Sequence, residues 1–113
     1  MAAYAATVVS PLRKPLKLFA KDPGVEIYYG TVDITNYNTT SAEITAITGK
    51  FRSAPVVIVS GVSDNGYGCR WDATDKSIHA YTYDYDAGAD GAAIEASNDT
   101  DIGVVHFIAV GLG

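Results

Sequence analysis

The chain has 113 residues, 48% of them apolar and 19% charged, with a formal net charge of −5. That is enough chain for one domain, residues 1–113, burying roughly two-thirds of its unfolded surface in a single core, and the composition excludes wholesale disorder. An acidic body argues against nucleic acid as a partner, and no apolar run approaches the ~20 residues of a membrane-crossing helix.

The N-terminal stretch MAAYAATVV lacks the basic start and long apolar segment of a signal peptide. Residues 3–10 have strand character in Tyr4, Thr7, Val8 and Val9. Pro11 and Pro15 follow, and neither can donate to a sheet ladder, so residues 1–21 read as an edge strand or an extended arm. Residues 16–19 resume an apolar alternation up to the turn signal Asp22-Pro23-Gly24, which fits a short first hairpin. Residues 1–21 hold Arg13, Lys14, Lys17 and Lys21 and no acid, giving +4; residues 22–113 hold the other four basic residues and all thirteen acids, giving −9. This basic segment is either a strand edge protected by its lysines or a docking element for an acidic surface.

Residues 25–34 read as a second strand, with Ile27, Tyr29 and Thr31 on one parity and Tyr28, Val32 and Ile34 on the other. Gly30 inside it suggests a bulge. Thr40-Ser41-Ala42-Glu43 matches a capping box, and Ile44, Ile47 and Phe51 follow at helical spacing with Gly49 as the stop. One short helix over residues 41–48 is expected, laid across the sheet.

Residues 55–85 form the centre of the sequence and read as a three-stranded antiparallel meander. Residues 55–62 are apolar on both parities and are expected to be buried on both faces. Asp64-Asn65-Gly66 is a hairpin-turn signal. Tyr67, Cys69 and Trp71 alternate with Gly68, Arg70 and Asp72, and residues 73–76 make a second turn. Ile78, Ala80 and Thr82 then alternate with His79, Tyr81, Tyr83 and Tyr85. Residues 86–100 read as a loop with a short strand near 92–96. Residues 102–112, apolar on both parities apart from His106, are expected to be a central strand covered on both faces. The fold class is therefore all-β, a mainly antiparallel β-sandwich or bent barrel-like sheet, with one short α-helix near residues 41–48.

Chemistry-bearing patterns are sparse. Asp84, Asp86 and Asp90 surround Gly88 in a spacing that suggests a calcium loop, but the glycine falls early and no glutamate closes the pattern. A solvated acidic loop is the preferred reading and no cofactor or metal is expected. His79 and His106 lack a nucleophile elbow or a metal-spaced partner histidine, so each reads as a satisfied or surface histidine. Cys69 has no second cysteine to pair with, reads as an inert buried thiol, and favours folding in a reducing cytoplasm. Tyr67, Trp71, Tyr81, Tyr83 and Tyr85 either fill a half-buried sheet face or form a stacking platform. Filling is preferred, with Tyr83 and Tyr85 the expected exposed pair. No enzyme activity is expected.

Five pieces of the chain carry a resemblance. They are GTVDITNYN at residues 30–38, AEITAIT at 42–48, GVSDNGY at 61–67, RWDAT at 70–74 and NDTDIGVVHF at 98–107. With these pieces the chain resembles the small head decoration, or capsid cement, proteins of tailed bacteriophages, from about Tyr4 to Leu112. It departs from that family in a short 86–96 stretch, where the family carries a longer insertion. The resemblance implies a virion structural protein on the capsid exterior, assembled in the host cytoplasm, that bridges major capsid subunits. It implies a homo-oligomer, trimer favoured over dimer, with no nucleic acid, no membrane, no catalytic residues and no cofactor. Arg13, Lys14, Lys17, Tyr83 and Tyr85 are then the interface candidates. The alternative is a tail-associated host-recognition or carbohydrate-binding module using the Trp71 and tyrosine face. A small hydrolase is a distant third.

Overall fold

The computed structural model describes residues 3–15, 24–82 and 94–112, with side chains for 3–9, 24–82 and 94–112. The fold is all-β with one short helix. In chain order the elements are β1 (Ala5–Pro15), β2 (Val25–Asn36), α1 (Thr45–Thr48), β3 (Val56–Val59), β4 (Gly68–Asp72), β5 (Ser77–Thr82), β6 (Ile94–Glu95) and β7 (Gly103–Leu112). They form two antiparallel sheets, a larger one in the order β1-β2-β7-β3 and a smaller one in the order β4-β5-β6. One core cluster draws on both: Tyr28, Val32, Ile34, Val105, Phe107 and Ala109 from the larger sheet, Ile78 and Ala80 from the smaller. Period-2 alternation explains this, since every second side chain of β2 and β7 turns inward.

β1 is the edge strand that its prolines require, as far as Pro15. Val9 pairs with Thr31 and Leu12 with Tyr29, so Ser10 and Pro11 together oppose the single residue Gly30. The bulge therefore sits on β1, at the residue without an N–H. The expected bulge on β2 at Gly30 is not there, because β2 pairs with β7 without a break from Val25↔Leu112 to Ile34↔Gly103.

The meander expected over residues 55–85 is not formed. β3 pairs with β7 in the larger sheet, whereas β4 and β5 pair in the smaller one. The turn at Asp64-Asn65-Gly66 is present: Ser63 N–H donates to Tyr67 O at 2.8 Å, Gly66 N–H to Ser63 O at 3.0 Å, and Gly66 has φ +87°. It is the corner where the chain leaves one sheet for the other. The start of β7 holds it there. Asp64 N–H donates to Val104 O at 3.0 Å, Val104 N–H donates to Asp64 Oδ1 at 2.7 Å, and the Ser63 hydroxyl donates to Ile102 O at 2.7 Å. The GVSDNGY and NDTDIGVVHF pieces thus meet in space.

The turn over residues 73–76 forms as expected. Asp72 Oδ1 accepts the N–H groups of Thr74 at 2.9 Å and Asp75 at 3.0 Å. The Asp75 N–H above all, with that of Thr74, holds the Asp72 carboxyl below the usual carboxylate range.

Helix α1 is a single turn, shorter than the expected 41–48 helix. The capping box does not form. Thr40 N–H donates instead to Asn38 Oδ1 at 2.9 Å, and the Glu43 carboxylate accepts the Thr48 hydroxyl at 2.6 Å. Asn38 captures Thr40 in a local turn, a competitor to capping that needs no helix. Ile44 N–H donates to Lys76 O at 2.9 Å, which ties this segment to the β4–β5 turn rather than to a preceding helical turn. Ile44, Ile47 and Phe51 are nonetheless buried, so the spacing of the apolar residues served the core.

Behind the helix, Tyr37 is fully buried. Its hydroxyl donates to Glu95 Oε2 at 2.5 Å and accepts the Ala80 N–H at 3.3 Å. Its ring meets that of Tyr4 edge-on at 6.0 Å. β6, inside the expected 92–96 window, pairs Glu95 with Tyr81. Among the described residues no helix is long and apolar enough to cross a membrane.

Two burial expectations are overturned. β3 and β7 are covered on one face only. On β3, Val57 is buried, but Val56 and Ile58 are 68% and 66% exposed; on β7, Val105, Phe107 and Ala109 are buried, but Ile108 is 51% exposed. The smaller sheet covers the inner face of the larger one. None of the described residues covers its outer face.

Candidate functional site

That outer face is the most distinctive surface of the protein. The register sets its side chains in three rows across the sheet. Ile27, Val110 and Val56 form one row, Tyr29, Ile108 and Ile58 the next, and Val9, Thr31 and His106 the third. Of the seven large apolar side chains that stand exposed among the described residues, five lie here: Val9, Tyr29, Val56, Ile58 and Ile108. Isolated exposed apolar residues need no explanation, but a contiguous face of them marks an interaction site.

The members of these rows on β2, β7 and β3 carry no formal charge, and on β1 Lys14 stands in register with Ile27 at the end of the first row. Asp33, which pairs with Val104 beyond the third row, is the first charge met on β2 at that end. Two shallow grooves run beside β7. One, of ≈ 500 Å³, is lined by Val9, Tyr29, Thr31, His106 and Ile108, and the other, of ≈ 140 Å³, by Ile58, Ser60, His106 and Ile108. His106 stands between them, exposed, with its backbone N–H donating to Ser60 Oγ at 3.2 Å. Strands rather than loops present the surface, and its two grooves are open rather than enclosed. It suits a broad protein partner better than a small molecule, which prefers a deep concave site.

Of the residues singled out from the sequence, Lys14 and His106 fall in these rows and the other described ones lie elsewhere. Arg13 and Lys14 belong to the edge strand β1, in register with Tyr28 and Ile27. Lys17, Tyr83 and Tyr85, with Asp84, Asp86 and Asp90, lie outside the described residues. Tyr67, Cys69 and Trp71 are half-buried and pack against the core, which is the space-filling reading of the aromatic pattern. Tyr81 accepts a hydrogen bond from Arg70 Nε at 2.9 Å, and that guanidinium lies 5.6 Å from its ring centre. Cys69 is half-buried rather than the fully buried thiol expected, and that burial raises its thiol to about 11. His106 is the surface histidine and His79 the buried one.

Sequence alone does not expose the outer face, because a strand apolar on both parities calls for cover on both sides without saying what supplies it. The signal itself was present in the alternate residues Val56, Ile58, Ile108 and Val110. Comparison with protein-family models, curated proteins and solved structures finds no match to this chain.

Proposed function

We propose that this protein is a structural binding module, specifically a head decoration protein of a tailed bacteriophage that attaches to the outer capsid surface and bridges major capsid subunits. The observation that carries the proposal is the exposed apolar outer face of the larger sheet. The resemblance of the five sequence pieces supplies the family. In this reading the protein is not an enzyme and takes no cofactor for its attachment. It self-associates on the lattice, as a trimer in preference to a dimer.

Magnitudes favour a lattice over a lone partner. The five exposed side chains are already partly covered, so completing their burial is worth roughly 1 kcal/mol each, or on the order of 5 kcal/mol together. Association itself costs an estimated ~4–15 kcal/mol. A single copy on a single site would therefore bind weakly. Many copies that touch one another on a repeating surface gain avidity without stronger individual contacts.

The deciding experiment has two arms. Copies per virion are counted by quantitative gel staining or particle reconstruction, and a number comparable with that of the capsid subunits is expected. A handful of copies at the tail would replace this reading with host recognition. In the second arm, Ile58→Asp with Ile108→Asp is added to undecorated capsids. Both positions are exposed, so the fold is expected to survive, and decoration is expected to be lost. Undiminished decoration would remove the outer face from the attachment.

A further inference from the structure

His79 is set quite differently from His106. It is 9% exposed, on β5. Its Nε2 lies 2.9 Å from Asp75 Oδ2 and 3.9 Å from Asp72 Oδ2. One such ligand atom from each of the three residues lies within 4.8 Å of the other two. The hairpin produces this convergence: Asp72 ends β4, Asp75 stands in the turn, and His79 follows four residues later. Because Thr74 and Asp75 N–H groups engage Oδ1 of Asp72, its Oδ2 is the oxygen near the ring, 3.3 Å from Arg70 Nη1.

The other ring nitrogen also faces a carboxylate. His79 Nδ1 lies 3.7 Å from Glu95 Oε2, the oxygen that accepts the Tyr37 hydroxyl. Three carboxylates thus surround one imidazole, with the Arg70 guanidinium on the Asp72 side. A neutral imidazole has a single N–H. With its proton on Nε2 the ring donates to Asp75; with that proton on Nδ1, toward Glu95, the Nε2 lone pair stands opposed to the Asp75 carboxylate, with the Ser41 hydroxyl 3.4 Å away. A cation at that point turns the opposition into ligation, because the nitrogen lone pair and both carboxylate oxygens then donate to it. Glu95 stands on the Nδ1 side at 3.7 Å, beyond hydrogen-bond distance, on the side where a carboxylate commonly supports a metal-bound imidazole. One nitrogen and two carboxylate oxygens suit a zinc-type ion. Calcium and magnesium take only oxygens, and in larger number.

We propose that His79 Nε2, Asp75 Oδ2 and Asp72 Oδ2 bind one divalent transition cation of the zinc type, with the Glu95 carboxylate on the far side of the ring. The fourth position faces the side of Ser41, whose hydroxyl lies 3.4 Å from Nε2. The ion ties the end of β4, the turn and β5 together, and so braces the smaller sheet. The site is independent of the outer face and of the proposed attachment to capsids.

The test uses tag-free full-length protein stripped with EDTA and titrated with zinc chloride by calorimetry. Melting curves and cobalt absorption spectra are recorded alongside. One equivalent is expected to bind, to raise the melting temperature, and, with cobalt, to give the intense visible bands of a four-coordinate site. Asp75→Asn is expected to weaken zinc binding at least ~10-fold, as is His79→Gln, while His106→Gln leaves it unchanged. The Asp75 side chain is 47% exposed, so that variant keeps its fold even if the buried His79 variant does not. Absence of zinc binding by the unaltered protein overturns the proposal. So does binding that survives Asp75→Asn, or binding that is lost with His106.

Discussion

Glycines 66 and 103 show how two residues with nearly the same backbone angle carry different constraints. Gly66 has φ +87°, and a Cβ built there would meet nothing within 4 Å. Gly103 has φ +90°, and its Cβ would fall 2.0 Å from Asp64 Oδ1, the oxygen that accepts the Val104 N–H. Gly66→Val is therefore expected to cost about 1–3 kcal/mol from backbone strain alone. Gly103→Ala should cost more, because strain and the displaced Asp64 act together. Denaturant midpoints of the two variants check the order, and an unchanged midpoint for Gly66→Val would show that the turn does not depend on its glycine. A second expectation concerns alkaline pH. Burial raises the Tyr4 phenol above its ordinary value, and burial with the Glu95 hydrogen bond raises that of Tyr37. Both groups ionise more readily in the unfolded chain, so their contribution is complete below pH ~10 and is lost as pH rises beyond it. Melting temperature should fall steeply above pH ~10. Tyr4→Phe, which removes one hydrogen bond to Ile78 O, should be less stable by about 1 kcal/mol at pH 7 and fall less steeply.

Among the elements, α1 is the case where local signals and packing disagreed. Four residues cannot sustain a helix by hydrogen bonds alone, since nucleation consumes most of what one turn supplies. What holds α1 is the burial of Ile47, which is fully enclosed, and of its neighbours Ile44 and Phe51. Ile47→Ala is expected to destabilise the protein by about 2–5 kcal/mol, far beyond a propensity effect. Thr40→Ala, a change at the expected N-cap, should be close to neutral, because the Thr40 hydroxyl caps nothing here. Chemical denaturation of the pair checks both, and a larger loss for Thr40→Ala would restore the longer capped helix. The β3–β4 connection makes the same point for sheets. Its Asn-Gly turn predicts a reversal of the chain but cannot say which sheet receives the next strand. Hydrogen bonds from residues 63 and 64 to the start of β7, about forty residues away in sequence, decide that.

At the scale of the whole molecule, two features bear on assembly: the apolar outer face and the uneven charge. Residues 1–21 carry +4 against −9 for the remainder. The edge strand β1 brings the Arg13 and Lys14 positions alongside β2, the strand that contributes Ile27 and Tyr29 to the outer face. In the proposed function the apolar face supplies contact, and the basic segment steers and aligns the approach. Changing Arg13, Lys14 and Lys17 together to Ala should leave the melting temperature nearly unchanged and weaken binding to undecorated capsids, most visibly at low salt. Such charges are screened beyond a Debye length of about 8 Å at physiological ionic strength. Equal decoration by the triple variant at low and high salt would reduce this segment to an edge strand and leave the outer face as the sole attachment.

Much of the fold was legible in the residues themselves. Alternation located β5, apolar residues on both parities located β2 and β7, the prolines of β1 pointed to an edge strand or an arm, and Asn65-Gly66 and residues 73–76 marked real turns. These are local consequences of strand period, a missing N–H and tolerance of positive φ, so no distant contact is needed to read them. Three things were decided only by tertiary structure. The partition of residues 55–82 between two sheets rests on pairing with β7, which no local pattern encodes. Convergence of Asp72, Asp75 and His79 on one point depends on the β4–β5 hairpin that brings them together. The outer face emerged because an apolar parity shows that a strand wants cover but not what supplies it. With seven short or medium strands and one helical turn, the described chain covers one side of its larger sheet and leaves Val56, Ile58 and Ile108 to water or to a partner.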